Sequence, residues 1–349
     1  MTSRERIRAA LQHEAVDRIP LDLGSTFVTG ICLPAYTRLI SYLGLPKREC
    51  FIIDPMQTLC QIDEDVMDML HIDVVGIHPV KNSFGSLNTN YINWEISPEL
   101  SCRIPSDLEL VRRFNGNWEY IPPGGKSPSA VMPAGQAFFD LLTRNELKDV
   151  EDLRAGQGTA DGQAVFHLIP DEELRQYEAE SFRLARETEY GVVANLNICA
   201  LGGYLRIVSP DTPGVQGIGD PKLWYIALLL NPSYIQEFFA RQTEMALKNL
   251  ALLKQAFGER VDAIFVSGTD FGTQNSLMFS QSTFTSLYKP YYTQHTLPYG
   301  TKDEVVAEVK KNLSVLSRDG GCVFNPVHNI QADVPAENIA AAYKTAMDM

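Results

Sequence analysis

The sequence lacks long hydrophobic runs and an excess of positive charge, and each absence excludes a class of protein. No stretch of about 18 uncharged apolar residues occurs, so no transmembrane helix is predicted. The 43 acidic residues outnumber the 30 basic ones and give a net charge of −13. Proteins that bind nucleic acids use Lys and Arg to neutralise phosphates. We therefore expect neither a membrane nor a nucleic acid as a partner.

The sequence also lacks paired cysteines and a signal sequence. Its six cysteines are scattered, with no Cys-x-x-Cys pair, and a chain of 349 residues needs no disulfide framework. The N-terminus leads into a charged helix and not into the apolar core of a signal peptide. These features predict a soluble cytoplasmic protein.

Several common catalytic motifs are missing as well. The sequence contains no G-x-G-x-x-G, P-loop, G-x-S-x-G or H-E-x-x-H pattern, which leaves nucleotide-binding, serine-hydrolase and zincin functions without their usual signals. Four histidines have no carboxylate or cysteine neighbours at ligand spacing, and we interpret them as surface or hydrogen-bonded residues without a catalytic role. They are His13, His71, His78 and His167.

What the chain does contain is an alternation of apolar runs with amphipathic segments. Strands are predicted near residues 18–24, 73–80, 191–199, 263–267 and 322–327. Helices are predicted from the capping box of Thr2 and Glu5, over 171–188, after Asn231-Pro232, over 301–316 and after Pro335. Residues from about 82 to 165 are interpreted as a region of hairpins and loops. The alternation is typical of βα units around a parallel sheet.

Polar residues cluster where the predicted strands end, at the edge where parallel sheets carry their sites. Asp270 lies between glycines after the fourth strand, where it could bind a substrate or only complete a turn. His328 follows the last strand and could bind a metal, transfer a proton or hold a substrate carboxylate. Cys322 could join His328 on one metal, although a small buried hydrophobic role is the alternative. Asn197 and Asn325 are further candidates to contact a substrate.

Four segments carry a resemblance to a known family. They are SRERIRAAL with VDRIP within residues 3–20, DPMQ at 54–57, TLPYGT at 296–301 and GGCVFNPVHNIQ at 320–331. Together they resemble the uroporphyrinogen decarboxylase superfamily in its methyltransferase-like branch, which includes corrinoid-dependent O-demethylases. The resemblance implies one distorted (β/α)8 TIM-barrel domain over residues 1–349, with an N-terminal extension and a site at the carboxyl ends of the strands.

The resemblance also implies a function. It predicts a methyltransferase that moves a methyl group between a small methylated donor and a corrinoid protein or thiol acceptor, with zinc as a cofactor and the corrinoid supplied by a partner protein. His328 and Asp270 would be the catalytic residues. Asn197, Asn325 and Gln294 would bind the substrate. The His-x-Cys pair of the family's zinc site has no counterpart in this sequence, so only Cys322 and His328 remain as candidate metal ligands, and a catalytic zinc normally takes three.

Two departures from the family pattern qualify these expectations. The segment 24–30 carries no arginine, whereas the true decarboxylases hold substrate carboxylates with an arginine-rich loop. Tyr292 leads directly to Gln294 and the segment 296–301, so about three βα units are missing by comparison with the family. We therefore expect an incomplete barrel with about five of eight strands, which is open or is completed by a homodimer.

Two alternative functions stay open at this point. One is decarboxylation of a tetrapyrrole, with Asp270 accepting hydrogen bonds from pyrrole N–H groups. The other is a catalytically inactive binding or scaffold protein, which would follow from the loss of an internal segment.

Overall fold

The chain folds as a mixed α/β protein. The computed structural model describes residues 1–142, 167–196, 210–211, 218, 220–265, 269, 271–272, 276–288, 310, 313, 322–326 and 330–348. Within these ranges, no helix combines the length and the apolar character that are needed to cross a membrane. The helix predicted over 301–316 falls mostly outside the described residues, and so does the junction after Tyr292.

Two of the capping signals predicted from the sequence are present in the structure. Thr2 and Glu5 form the expected capping box, and Asn231 caps its helix by accepting a hydrogen bond from the backbone N–H of Tyr234. The helices are α1 (Ser3–Leu11), α2 (Leu33–Tyr42), α3 (Glu64–Met69), α4 (Asp171–Glu187), α5 (Pro221–Leu230), α6 (Pro232–Phe257), α7 (Gln281–Thr283, continued by a π-helical turn Phe284–Tyr288) and α8 (Ala336–Met347).

The strands form one parallel sheet and three antiparallel ones. The strands are β1 (Ile52–Asp54), β2 (Leu59–Cys60), β3 (Val74–Ile77), β4 (Tyr91–Ser97), β5 (Leu100–Pro105), β6 (Leu110–Arg112), β7 (Trp118–Tyr120), β8 (Ala130–Met132), β9 (Asp140–Leu141), β10 (Gly191–Ala194) and β11 (Ala263–Ile264). The parallel sheet has the order β11-β10-β3, and β1-β2, β4-β5 and β6-β7-β8-β9 are antiparallel. The hairpins expected from residue 82 onward are confirmed where the structure describes them.

Two further extended segments continue the parallel arrangement beyond β3. The carbonyl of Leu21 accepts a hydrogen bond from the backbone N–H of Asp73 at 2.7 Å, and Leu21 in turn forms a parallel bridge with Phe324. The segment around Leu21 therefore extends the order β11-β10-β3, and the segment around Phe324 follows it, so all five predicted extended segments lie side by side. This order is expected of consecutive βα units in which the final strand returns beside the first.

The prediction of full strands over 18–24 and 322–327 is wrong, because each segment makes a single bridge among the described residues. The backbone N–H of Leu21 donates to the Asp73 carboxylate at 2.9 Å instead of to a neighbouring strand. Pro326 has no N–H to donate and so limits pairing after Phe324. The Asp73 side chain therefore shortens the first strand, and the missing N–H of Pro326 shortens the last one.

The two faces of the parallel sheet are covered differently. Ile77, Val192 and Ala194 pack on one face with Leu184 of α4 and Phe257 of α6. This apolar layer anchors the sheet against two helices, and a larger hydrophobic cluster surrounds the N-terminal half and the hairpins. The alternate residues on the opposite face of these two strands are valines and glycines, and the polar residues His78 and Asn195 follow directly where β3 and β10 end.

Candidate active site at the carboxyl ends of the parallel strands

A histidine and an asparagine meet where two neighbouring parallel strands end. Ile77 of β3 is the register partner of Ala194 of β10, so the residues that follow, His78 and Asn195, lie side by side. The Nδ2 atom of Asn195 is 3.1 Å from Nδ1 of His78, and the backbone N–H of Asn195 donates to the carbonyl of Ile77 at 2.8 Å. The sheet register therefore builds the pair from residues that are 117 positions apart.

The imidazole of His78 fits between a glycine and a phenylalanine. A Cβ atom on Gly76 would lie 2.1 Å from the carbonyl oxygen of Ser25 and 3.0 Å from Nε2 of His78, so no larger residue fits beside them. The Phe27 ring stacks on the imidazole with 5.8 Å between ring centroids and 27° between planes. The loop that carries Ser25 and Phe27 therefore packs over the imidazole of His78.

Burial keeps the histidine neutral. Loss of hydration lowers the pKa of His78 to about 4, and the smaller opposing effect comes from the carboxylate of Glu180. His78 is half-buried when the whole residue is considered. A neutral imidazole can donate and accept a hydrogen bond at neutral pH without contributing charge.

Asn195 is fully buried and carries an unsatisfied acceptor. Its side chain has no exposed surface, and its Oδ1 atom has no hydrogen-bond partner in the parts of the chain that the structure describes. A buried polar atom without a partner costs about 1–3 kcal/mol. Because most buried polar groups are paired, this atom is a candidate contact for a ligand.

A buried carboxyl group holds the loop that carries Ser25 and Phe27. Asp22 follows Leu21 and accepts hydrogen bonds from the backbone N–H of Ser25 at 3.1 Å and from its hydroxyl at 2.7 Å. Burial raises the pKa of Asp22 to about 6, because desolvation exceeds the lowering effect of these hydrogen bonds. The Tyr343 hydroxyl donates to the main-chain oxygen of Asp22. This network fixes the loop that carries Phe27.

The site residues predicted from the sequence are mostly not described by the structure. Those outside the described residues are Asn197, Asp270, Gln294 and His328. Asn325 is exposed, and its amide donates to the carbonyl of Val323 at 3.4 Å. Their proposed roles stay predictions, and the structure adds His78 and Asn195 at the edge where the sequence analysis expected a site.

The described residues do not supply a zinc site. A catalytic zinc takes about three protein ligands, and no group of three or more His, Cys, Asp or Glu side chains in the described parts of the chain could hold a metal. Cys322 is partly buried, and burial raises the pKa of its thiol, which favours the neutral form over the thiolate that binds metals. We therefore derive no reaction step through zinc.

Sequence reasoning missed His78 because it judged that residue by its sequence neighbours. The relevant neighbour, Asn195, is contributed by another strand. Two signals were present: His78 directly follows a predicted strand, and Gly76 two positions earlier marks a close backbone approach.

Comparisons with known proteins were made at the levels of sequence and structure. No protein-family model matches the sequence, and no curated protein matches it. Among solved structures, the chain is similar to a methyltransferase from Methanosarcina mazei, with 14% sequence identity and a TM-score of 0.47, over 100% of this chain and 99% of that chain. This degree of similarity is too low to carry a functional conclusion, which therefore depends on the chain's own residues.

Proposed function

We propose that the chain is a methyltransferase with an incomplete (β/α)8-type barrel, which moves a methyl group between a small methylated donor and a corrinoid protein or thiol acceptor. The observation that carries the proposal is the pairing of His78 with Asn195 at the carboxyl ends of adjacent parallel strands. Barrels and open α/β sheets place their active sites at this edge. The methyltransferase chemistry itself comes from the sequence resemblance.

In this proposal each described residue has a limited task. Asn195 orients the imidazole through Nδ1, which leaves Nε2 of His78 to contact the group that loses or receives the methyl. Phe27 covers the ring and keeps water from one side. A corrinoid held by a partner protein would supply the cobalt that exchanges the methyl group. His328, Asp270, Asn197, Asn325 and Gln294 keep the catalytic and substrate-binding roles that the resemblance predicts for them.

The decarboxylase alternative gains no support from the described residues. The segment 24–30, which lacks arginine, holds hydroxyl side chains that bond with one another: Thr26 and Thr29 lie 3.1 Å apart between their Oγ1 atoms and are buried. This loop offers no cation to a substrate with several carboxylates. Methyl transfer therefore stays the preferred function.

A direct test supplies methylcobalamin as donor and a small thiol as acceptor, and measures the methyl thioether by mass spectrometry. The methyl–cobalt bond breaks with its electron pair staying on cobalt, so cob(I)alamin leaves, the carbon–sulfur bond forms, and the thiol proton is released to solvent. A panel of methoxy-aromatic and methylamine donors with the same thiol covers other donors. We expect product from the wild-type chain and at least a tenfold lower rate for His78→Ala, in the range typical of losing a group that assists proton movement.

The matched control is His167→Ala, because His167 is exposed and its side chain makes no contact used in the proposal. Its rate should equal that of the wild type. Absence of methyl product with every donor overturns the proposal. Turnover of uroporphyrinogen to decarboxylated products would then favour the decarboxylase, and inactivity in both assays would favour the scaffold.

A further inference from the structure

The unsatisfied acceptor of Asn195 and the second ring nitrogen of His78 belong to one hydrogen-bonding unit. The two side chains contact each other through Nδ2 and Nδ1, so one polar atom of each is left over. The atom left on Asn195 is Oδ1, which is buried and has no partner among the described residues. No partner for Nε2 of His78 occurs among the described residues.

The leftover atoms have opposite hydrogen-bonding character. If the amide donates to Nδ1, then Nε2 carries the ring proton and is a donor, and Oδ1 is an acceptor. If the amide is turned by 180°, Nδ1 donates to the amide oxygen, Nε2 becomes an acceptor and the amide N–H₂ is the free donor. In both arrangements the pair of His78 and Asn195 offers one donor and one acceptor.

Within the described parts of the chain, the residues that contact or flank the imidazole bring no compensating charge to this pair. Phe27 and Gly76, which contact or flank the imidazole, are neutral. Glu180 is the charged group that acts on the imidazole, and its carboxylate oxygens already accept hydrogen bonds from Arg183 at 2.7 and 2.8 Å. Burying an unpaired charge costs much more than burying a hydrogen-bonded neutral group.

We propose that His78 and Asn195 form a binding site for an uncharged group that carries both a hydrogen-bond donor and an acceptor, such as a carboxamide or a hydroxyl group, and that the site discriminates against carboxylates and amidinium cations. The ligand satisfies the buried oxygen of Asn195 and contacts Nε2 of His78. This inference does not depend on methyl transfer, because it concerns binding alone.

The test uses three probes of nearly equal shape: acetamide, acetate and acetamidinium. Each is titrated at pH 7.5 into the full chain with isotope-labelled histidine, and the ring signals of His78, assigned with His78→Gln, are followed by NMR. Acetamide should produce a saturable shift, with an affinity at least about fivefold higher than that of either charged probe. No methyl donor is present, so the outcome is independent of the activity assay.

A variant pair locates the contact. Asn195→Ala should weaken acetamide binding about five- to tenfold, the size expected for loss of one buried hydrogen bond. Asn115→Ala, on an exposed turn, is the matched control and should leave binding unchanged. If Asn195→Ala does not fold, the ranking of the three probes on the wild-type chain decides. Equal or tighter binding of acetate or acetamidinium, or no shift of the His78 signals with acetamide, overturns the inference.

Discussion

The guanidinium of Arg6 donates to the carboxylate of Asp73 at 2.5 Å, and this contact joins the N-terminal helix to the amino end of β3. The Asp73 side chain is fully buried, and that of Arg6 is 8% exposed. Asp73 also accepts from the Ser3 hydroxyl at 2.8 Å and from two nitrogens of Arg18 at 2.6 and 2.9 Å. One carboxylate thus organises the end of the sheet opposite to the candidate site.

The first prediction concerns this carboxylate. Asp73→Asn keeps the shape but removes the negative charge that compensates two guanidinium groups. Breaking a buried ion pair from one side costs about 3–5 kcal/mol, so we expect a loss of that size in the free energy of unfolding, measured by urea titration. Asp65→Asn, which breaks a partly exposed pair with Arg48, is the control and should lose no more than about 1 kcal/mol. Equal stability of the two variants would contradict the role assigned to Asp73.

Asp73 illustrates why only part of the fold could be predicted from local sequence patterns. Local signals predicted the capping box at Thr2 and the apolar run Val74–Ile77, because each depends on residues close in sequence. The segment around Leu21 was predicted as a strand from its apolar pattern. Its backbone N–H is instead taken by the Asp73 side chain, a contact between residues 52 positions apart that no local pattern contains.

The candidate site shows the same limit, because local sequence patterns do not reveal contacts between distant residues. The rule that polar residues follow parallel strands pointed to the carboxyl edge of the sheet, and it named Asn325 and Asn197 there. It did not select His78 and Asn195, since their meeting depends on the register Ile77–Ala194 between strands with over a hundred residues between them. Strand register is set by packing of the whole sheet, so the sequence alone did not define which polar pair would form.

The second prediction tests the space beside the histidine. Gly76→Ala places a methyl group within 2.1 Å of the Ser25 carbonyl oxygen, so the loop or the strand must move. Overpacking of this kind costs about 1–3 kcal/mol. We expect that loss in a urea titration, together with a changed NMR signal for His78. An unchanged His78 signal with unchanged stability would show that the strand and loop are further apart than described.

The third prediction uses the raised pKa of Asp22. The folded chain holds a proton on this carboxyl up to about pH 6, whereas an unfolded chain releases it near pH 3.9. The folded state therefore binds more protons across this window, and its stability falls as the pH rises from about 4 to 6. The contribution that is lost above pH 6 amounts to about 3 kcal/mol.

Asp22→Asn removes this dependence, because the amide does not ionise. Urea titrations between pH 4 and pH 8 should show that the variant gains stability relative to the wild type as the pH rises, and exceeds it at pH 8. Asp140→Asn, at an exposed position of β9, provides the control and should follow the wild-type profile. Parallel profiles for Asp22→Asn and the wild type would refute the assignment of a buried, reluctantly ionised carboxyl.

The fourth prediction concerns the neutral state of His78. Its pKa of about 4 in the folded chain lies below the value near 6.5 of an unfolded chain. The unfolded state therefore binds more protons between these values, so this contribution to stability is complete above about pH 6.5 and is lost as the pH falls towards 4. The sign is opposite to that of Asp22, and the two effects offset each other in the wild type between pH 4 and 6.

His78→Gln separates the two effects, since glutamine is polar but does not titrate. Between pH 7 and pH 4 the wild type should lose about 2–3 kcal/mol more than the variant in the free energy of unfolding. In the folded wild type, the Cε1–H signal of His78 should keep the chemical shift of a neutral imidazole at pH 5.5, where a model peptide is mostly protonated. A His78 signal that titrates near pH 6.5 would mean that water reaches the ring freely. That result would refute the claim that His78 forms a desolvated hydrogen-bonding pair with Asn195.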